Sequence, residues 1–409
     1  MLSPEPLPCS VCVRVAWPVA VAALALWLGA CAGPTPERPA TFTFRVPQGQ
    51  TFDLTRGQVL PPEALPGRLA QVRLLFLGEN HTDPRSHAFQ REVLEALVAA
   101  GRQVTVALEM FSPAADAALE DWRQGRLDEL AFLERSDWYA AWGFAWDYYQ
   151  GVFETIRRHR LPVRGVNADR ETRNAVRRGE VEGLPADLRA EIGDLDDAPL
   201  AHRDYLLDAL HRSGHAGDLA PESAGFRGFH RVQTLWDRLM GNRAARLIEP
   251  DNPQAIVVVL IGSGHVAYKL GANLQAARVS PAPQLSLWDG PAGAHGVDGD
   301  GRALVPVGLA DLVRVYPEPE EHAAPPTLGG VKLEAAPGGV RVQSVSHFAP
   351  RALRALQADD LIVALNGRPA GSPTALRLAY ERTPPDETPR LEVRRGERTL
   401  TVGGEAESP

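Results

Sequence analysis

The chain holds 409 residues, 44% hydrophobic and 23% charged, with a formal net charge of −8. That is a globular balance, long enough for two or three domains. The acidic excess, with no Lys/Arg-rich cluster to offset it, argues against a nucleic-acid partner.

Residues 1–30 read as an export signal. Arg14 precedes an apolar run from Val15 to Leu28, and Leu28-Gly29-Ala30-Cys31 ends it. A short apolar segment with small residues before a cleavage point is the secretory pattern. Spanning a bilayer takes about 20 apolar residues, more than this run supplies. The tetrapeptide resembles the lipobox of bacterial lipoproteins. That resemblance implies lipidation at Cys31 and, with Ala32 following, an outer-membrane anchor facing the periplasm. Cys9 and Cys12 would leave with the signal, so the mature chain has no disulfide and no thiol ligand. Residues 31–43 read as a tether.

Thr41 to Val46 alternates polar and apolar, the pattern of an edge strand. Leu74-Leu75-Phe76-Leu77 then runs into Gly78-Glu79-Asn80-His81. An unbroken apolar run bounded by turn residues predicts a fully buried, parallel strand. Ser86 to Ala99 has helical spacing at Phe89, Val93, Leu94 and Leu97. Val104 to Leu108 is a second strand ending in Glu109, and Ser112-Pro113 opens the next helix. Residues 136–149 hold seven aromatics, against 7% in the whole chain, so they either pack the core or wall a pocket for a planar ligand. Val163 to Ala168 is a further strand, with Asn167 at its polar end.

Residues 226–247 predict a long helix. Phe229, Val232, Leu235, Trp236, Leu239 and Met240 form its apolar stripe. His230, Gln233, Thr234 and Asp237 form a polar stripe that is either solvated or turned toward a site. Ile256 to Ile261 is another buried strand, ending in Gly262-Ser263-Gly264-His265. Further strands are predicted at 284–288 and 311–315, separated by a Gly-rich loop. Residues 317–326 are Pro- and Glu-rich and read as a linker between independently folding domains.

Three strands thus end in ionisable groups, and ligands of open α/β sheets bind beyond strand carboxyl ends. Glu79, His81, Glu109 and His265 suit a divalent metal or a general acid/base pair.

The motifs Gly78–His81, Ala107–Phe111, Gln233 with Asp237 and Met240, and Gly262–His265 resemble the ChaN family of iron-regulated, haem-binding lipoproteins. The likeness covers about residues 44–316. It implies an α/β fold with a mostly parallel sheet flanked by helices, and haem or iron binding for uptake or iron homeostasis. It also implies a homodimer with a tyrosine iron ligand. Tyr205 and His230 are the candidates for that ligand, with Asn80, Gln233 and Asp237 around it. The wider superfamily includes Tiki and TraB proteins and erythromycin esterases. Its implied alternative is a hydrolase or protease in which Glu79, His81, Glu109 and His265 hold Mn, Co or Zn. Residues 327–404 resemble a bacterial PDZ domain, with a small α+β fold. Leu328, Gly329, Gly330 and Val331 form its carboxylate-binding loop, and a protein C-terminus is its implied partner. Residues 405–409 read as a disordered tail.

Overall fold

The computed structural model describes residues 42–212, 220–317, 324–347 and 349–403. The export signal, Cys31, nearly all of the tether, much of the predicted linker and the last residues lie outside that range. Strands β1 (Thr43–Val46), β2 (Thr51–Asp53), β3 (Gln58–Leu60), β4 (Leu74–Glu79), β5 (Gln103–Leu108), β6 (Val163–Gly165), β7 (Ala255–Gly262), β8 (Gln284–Pro291), β9 (Ala303–Pro306) and β10 (Leu312–Tyr316) belong to the first part. Its helices are α1 (Pro84–Ala99), α2 (Asp116–Arg123), α3 (Glu129–Arg135), α4 (Trp138–Ala141), α5 (Trp146–His159), α6 (Arg170–Arg178), α7 (Ala186–Ile192), α8 (Leu200–Arg212), α9 (Ala224–Arg246) and α10 (Ala272–Val279), beside shorter turns.

Eight of these strands form one sheet in the order β3-β2-β10-β8-β4-β7-β5-β6. From β10 to β6 every pairing is parallel, and the β2–β3 hairpin closes the other edge antiparallel. All six residues of β4 and all eight of β7 are buried. That is why their sequences are continuous apolar runs rather than alternating ones. Alternate side chains serve two cores: Leu75 and Leu77 face one, Leu74 and Phe76 the other. The first core takes Phe89, Val93, Leu94 and Leu97 of α1, and the second takes Met240, Ala244 and Ala245 of α9. Each Phe, Val, Leu or Met among these contributes about 1.5–3 kcal/mol on burial, and each alanine methyl under about 1 kcal/mol.

Local signals start the helices as expected. Asp83 accepts from the Arg85 N–H with Pro84 at the first position of α1, and Ser223 caps α9. The β2–β3 hairpin and β9 escape sequence reading, because strands of three or four residues carry too short a pattern. Strand β1 does not join the main sheet but pairs with β9 in a separate two-stranded sheet. The predicted Gly-rich loop after Trp288 begins later than expected: β8 runs on to Pro291, which buries Asp289 inside a strand.

The second part comprises β11 (Val331–Ala336), β12 (Gly339–Val345), β13 (Leu361–Leu365), β14 (Arg368–Pro369), helix α11 (Pro373–Glu381), β15 (Arg390–Arg395) and β16 (Arg398–Gly403). Its strands pair antiparallel, with β11 and β16 at the edges, around a core of its own. The composition of 317–326 predicts two independent modules, but α11 joins them. Leu376 and Tyr380 fill the second core, while Leu378 is buried in the first. Arg382 pairs with Glu129 at 2.8 Å and with Asp147 at 3.0 Å. Glu381 is buried and accepts from the Tyr139 hydroxyl and the Trp146 N–H, each at 3.0 Å.

Burial raises the Glu381 carboxyl from 4.5 to about 7, despite those hydrogen bonds. The interface therefore accepts the neutral acid. Its contribution to stability is complete below 4.5 and is lost as pH rises through about 7. We expect the melting temperature of the parent chain to fall between about pH 4.5 and about pH 7.5, and Glu381→Gln to flatten that fall. Equal slopes in thermal melts of the two proteins would show that Glu381 is not the titrating group.

Candidate functional site

Strands β4, β7 and β5 are neighbours in the sheet, with Gly78 paired to Ile261 and Glu79 to Gly262. Their carboxyl ends therefore deliver Glu79, His81, Glu109 and His265 to one place. Gly78 is required there by close approach. A Cβ on it would lie 2.7 Å from both the Leu287 carbonyl oxygen and the Ser263 hydroxyl.

Glu79 is buried and held on both oxygens. His81 Nδ1 lies 2.8 Å from Oε1, the Tyr149 hydroxyl donates to Oε1 at 2.7 Å, and Gln90 Nε2 donates to Oε2 at 2.5 Å. Burial alone would favour the neutral acid. The hydrogen bond from His81 and the charges of His87 and His81 outweigh it, and the carboxyl falls to about 2. For His81 burial works against the charge, but the Glu79 hydrogen bond and the nearby Glu109 raise its pKa above the ordinary value. Binding Nδ1 to a carboxylate orients the ring and leaves Nε2 for a ligand.

His265 is held differently. Its Nδ1 lies 2.7 Å from Asp237 Oδ1 and its Nε2 3.3 Å from Glu109 Oε1. Burial lowers its pKa, yet Asp237 and Glu109 together lift it to about 10, so it is an imidazolium at neutral pH. Asp237 also meets His202 Nε2 at 3.0 Å, and Glu109 Oε2 accepts the Gly262 N–H at 2.5 Å. The four groups expected to surround a divalent ion are thus spent largely on hydrogen bonds and on one another. Among the described residues no group of three or more His, Cys, Asp or Glu side chains is arranged to hold a metal ion.

A cleft of about 610 Å³ opens over His81, Glu109 and His265. Trp142 stands edge-on to the His81 ring at 4.8 Å, Phe144 lies 4.9 Å from it, and Trp236 lies 6.1 Å from His265. Arg135, Arg170 and Arg173 also line the cleft. Three buried polar atoms of lining residues, Ser136 Oγ, Trp142 Nε1 and Arg173 Nε, have no hydrogen-bond partner among the described residues.

The other expected residues fall at varied distances. Gln233 lines the cleft, and Asp237 sits behind His265. Asn80 shapes the turn into α1 by accepting from the Thr82 N–H and the Asp83 N–H. Tyr205 packs against Tyr268 at 5.7 Å, near Gly264, and burial raises its pKa to about 12. His230 stacks on Phe226 and is lowered to about 4 by burial. Neither Tyr205 nor His230 is among the cleft-lining residues. The aromatic run divides: Trp138, Trp146 and Tyr149 are core, whereas Trp142 and Phe144 are wall. Sequence reading passed over Gln90, Tyr149 and His202 as ligands of carboxylates. It also passed over Arg170 and Arg173, whose i, i+3 spacing on α6 was the available signal.

Glu79→Gln keeps the shape of the network and removes its charge. The His81 pKa should then fall, because burial is no longer opposed by a bonded carboxylate. Stability should drop by about 1–3 kcal/mol. That contribution is present above the ordinary Glu pKa of 4.5 and is lost as pH falls through about 2. An NMR titration of the imidazole and a denaturant melt measure the two effects. An unchanged His81 titration would show that Glu79 does not set its charge.

Comparison with known proteins bears on the family and the fold. Residues 327–403 match the model of the PDZ domain family. No curated protein matches the chain. Among solved structures, ChaN of Campylobacter jejuni, described with cofacial haem binding, superposes with a TM-score of 0.51 at 17% identity. That match covers 67% of this chain and all of the Campylobacter one. A Bacillus cereus protein covers 73% of this chain and 98% of its own, at 10% identity and a TM-score of 0.37. Residues 65–275, just over half of the chain and including every strand end described above, match the model described as haem-binding uptake, Tiki superfamily, ChaN, and the chain belongs to that family.

Proposed function

We propose that the protein binds haem in the cleft at the strand ends and works as an outer-membrane lipoprotein in haem or iron uptake. The observation that carries the first half is the lining itself. Haem is a flat apolar macrocycle with two carboxylates at one edge. The cleft offers aromatic side chains at Trp142, Phe144 and Trp236 and guanidinium groups at Arg135, Arg170 and Arg173, beside the carboxylates of Asp137, Asp169 and Glu171. Its volume lies within the usual range for small-molecule sites. Ser136 Oγ and Arg173 Nε, which lack partners among the described residues, would suit carboxylate oxygens. His81, with Nδ1 fixed by Glu79, would supply a nitrogen for iron, and the His265 imidazolium a positive charge beside it. When bound, haem would bring an iron centre able to take a nitrogen ligand such as His81. The Campylobacter protein's cofacial haem binding supports the same use of this fold.

The second half rests on the sequence before the described residues. Cys31 follows small residues and an apolar run. No helix of the described residues is long and apolar enough to cross a membrane. Lipid on Cys31 would hold the mature chain to the outer membrane, and the PDZ domain would bring a peptide partner to it.

Haemin titration of the purified mature chain should give a Soret shift saturating near one equivalent per site. His81→Ala and Trp142→Ala should each weaken binding at least about tenfold, a loss of about 1.4 kcal/mol. The double variant His81→Ala/His265→Ala should lose less than the sum of its parts, because groups sharing one ligand are non-additive. Full-strength binding by both single variants would place haem elsewhere. Cys31→Ala should move the exported protein from the outer-membrane fraction to the soluble one, and unchanged fractionation would end the lipoprotein reading.

A further inference from the structure

Helix α11 touches two sites at once. On one side Arg377 donates to the Leu328 carbonyl at 2.9 Å and to the Val331 carbonyl at 2.6 Å. Leu328 belongs to the loop that would receive a peptide carboxylate, and Val331 opens β11, an edge strand of the PDZ sheet. A peptide C-terminus docks on a PDZ domain by adding to such an edge. The loop is also closed on itself: the Gly329 N–H donates to Thr327 Oγ1 at 3.3 Å, and the Val331 N–H to the Leu328 carbonyl at 3.2 Å. Two of the amides that would meet a carboxylate are therefore in use.

On its other side the same helix holds the cleft wall. The Arg377 guanidinium lies 5.7 Å from the centre of the Tyr139 ring. The Tyr139 hydroxyl and the Trp146 N–H both end on Glu381. Between Tyr139 and Trp146 lie Trp142 and Phe144, the two rings against His81. The helix thus grips both ends of the segment whose middle is the wall.

We propose that the PDZ groove is self-inhibited by its docking on the first domain, and that an extended peptide with a free carboxylate and an apolar last residue couples the groove to the cleft. Such a peptide, adding to β11, displaces Arg377 from Val331, loosens the Tyr139–Glu381 contact and frees residues 138–146. The apolar last residue is called for by Leu328, Val331 and Leu376, which are buried together at that end of the PDZ core. The coupling is reciprocal: whatever the wall binds keeps the groove shut by the same factor. The proposal rests on the peptide-binding reading of the PDZ domain and extends the haem reading without depending on it.

The test uses the full mature chain and a fluorescein-labelled decapeptide ending in valine, with its C-terminal amide as control. Tyr139→Phe removes one hydroxyl from the contact, and Glu381→Ala removes the acceptor of both hydrogen bonds. Both variants should bind the free-acid peptide at least about fivefold more tightly than the parent, the lower end of ordinary coupling. Equal affinities, binding by none included, overturn the self-inhibition. Saturating peptide should also speed amide hydrogen exchange over residues 138–146 in the Tyr139→Phe chain, and unchanged exchange overturns the coupling. The haem reading fails separately, if the parent chain takes up no haemin while the peptide comparison and the exchange behave as stated.

Discussion

Glu79 is a carboxylate taken almost wholly out of water at the end of the central strand, and much else in the first domain answers to it. A buried charge left unpaired costs several kcal/mol. Here the compensation comes from three directions: the His81 ring, Gln90 on α1 and Tyr149 on α5. Helices α1 and α5 are therefore tied to the strand end by more than apolar packing. The same network sets the His81 ring, and that ring faces the cleft. Its space exists because the neighbouring strand ends in glycine. A Cβ on Gly262 would come within 2.9 Å of the imidazole. Fold and site thus share one constraint, the in-register ending of β4 and β7.

The two histidines, so alike in sequence, are electrostatically different. His81 answers to one bonded carboxylate and keeps a nitrogen toward the cleft. His265 is clamped between Asp237 and Glu109 and carries a fixed charge. A ligand entering the cleft meets one potential donor atom and one cation. That asymmetry suits an anionic, metal-bearing macrocycle better than it suits a symmetric ion cage.

The strand cores and the paired Gly-x-x-His motifs were legible because a fully buried parallel strand must be apolar throughout, and such runs are conspicuous. Position along the sheet was legible too, since ligands gather at strand ends. What the chain could not display was who faces whom across elements. Gln90 looked like an ordinary helix residue, and its role depends on α1 lying over the end of β4. Asp237 belonged to a polar stripe whose direction was undetermined until α9 packed with Met240 inward. Tyr149 and Trp142 stood in the same aromatic run, and only the turn between Trp142 and Trp146 separates wall from core.

Helix α11 held a signal that composition obscured. Leu376, Leu378 and Tyr380 are buried. Residues four apart share a helix face, but residues two apart do not. Leu376 and Tyr380 can serve one core, and Leu378 between them must then serve another. A helix of nine residues with apolar groups on both sides cannot sit on the outside of a free-standing domain without exposing one of them. The Pro- and Glu-rich segment before it suggests independence, yet the apolar pattern of the helix requires a second surface. The structure supplies that surface from α3 and α5, with Glu381 and Arg382 completing it. The PDZ domain is thereby held against the segment that walls the cleft.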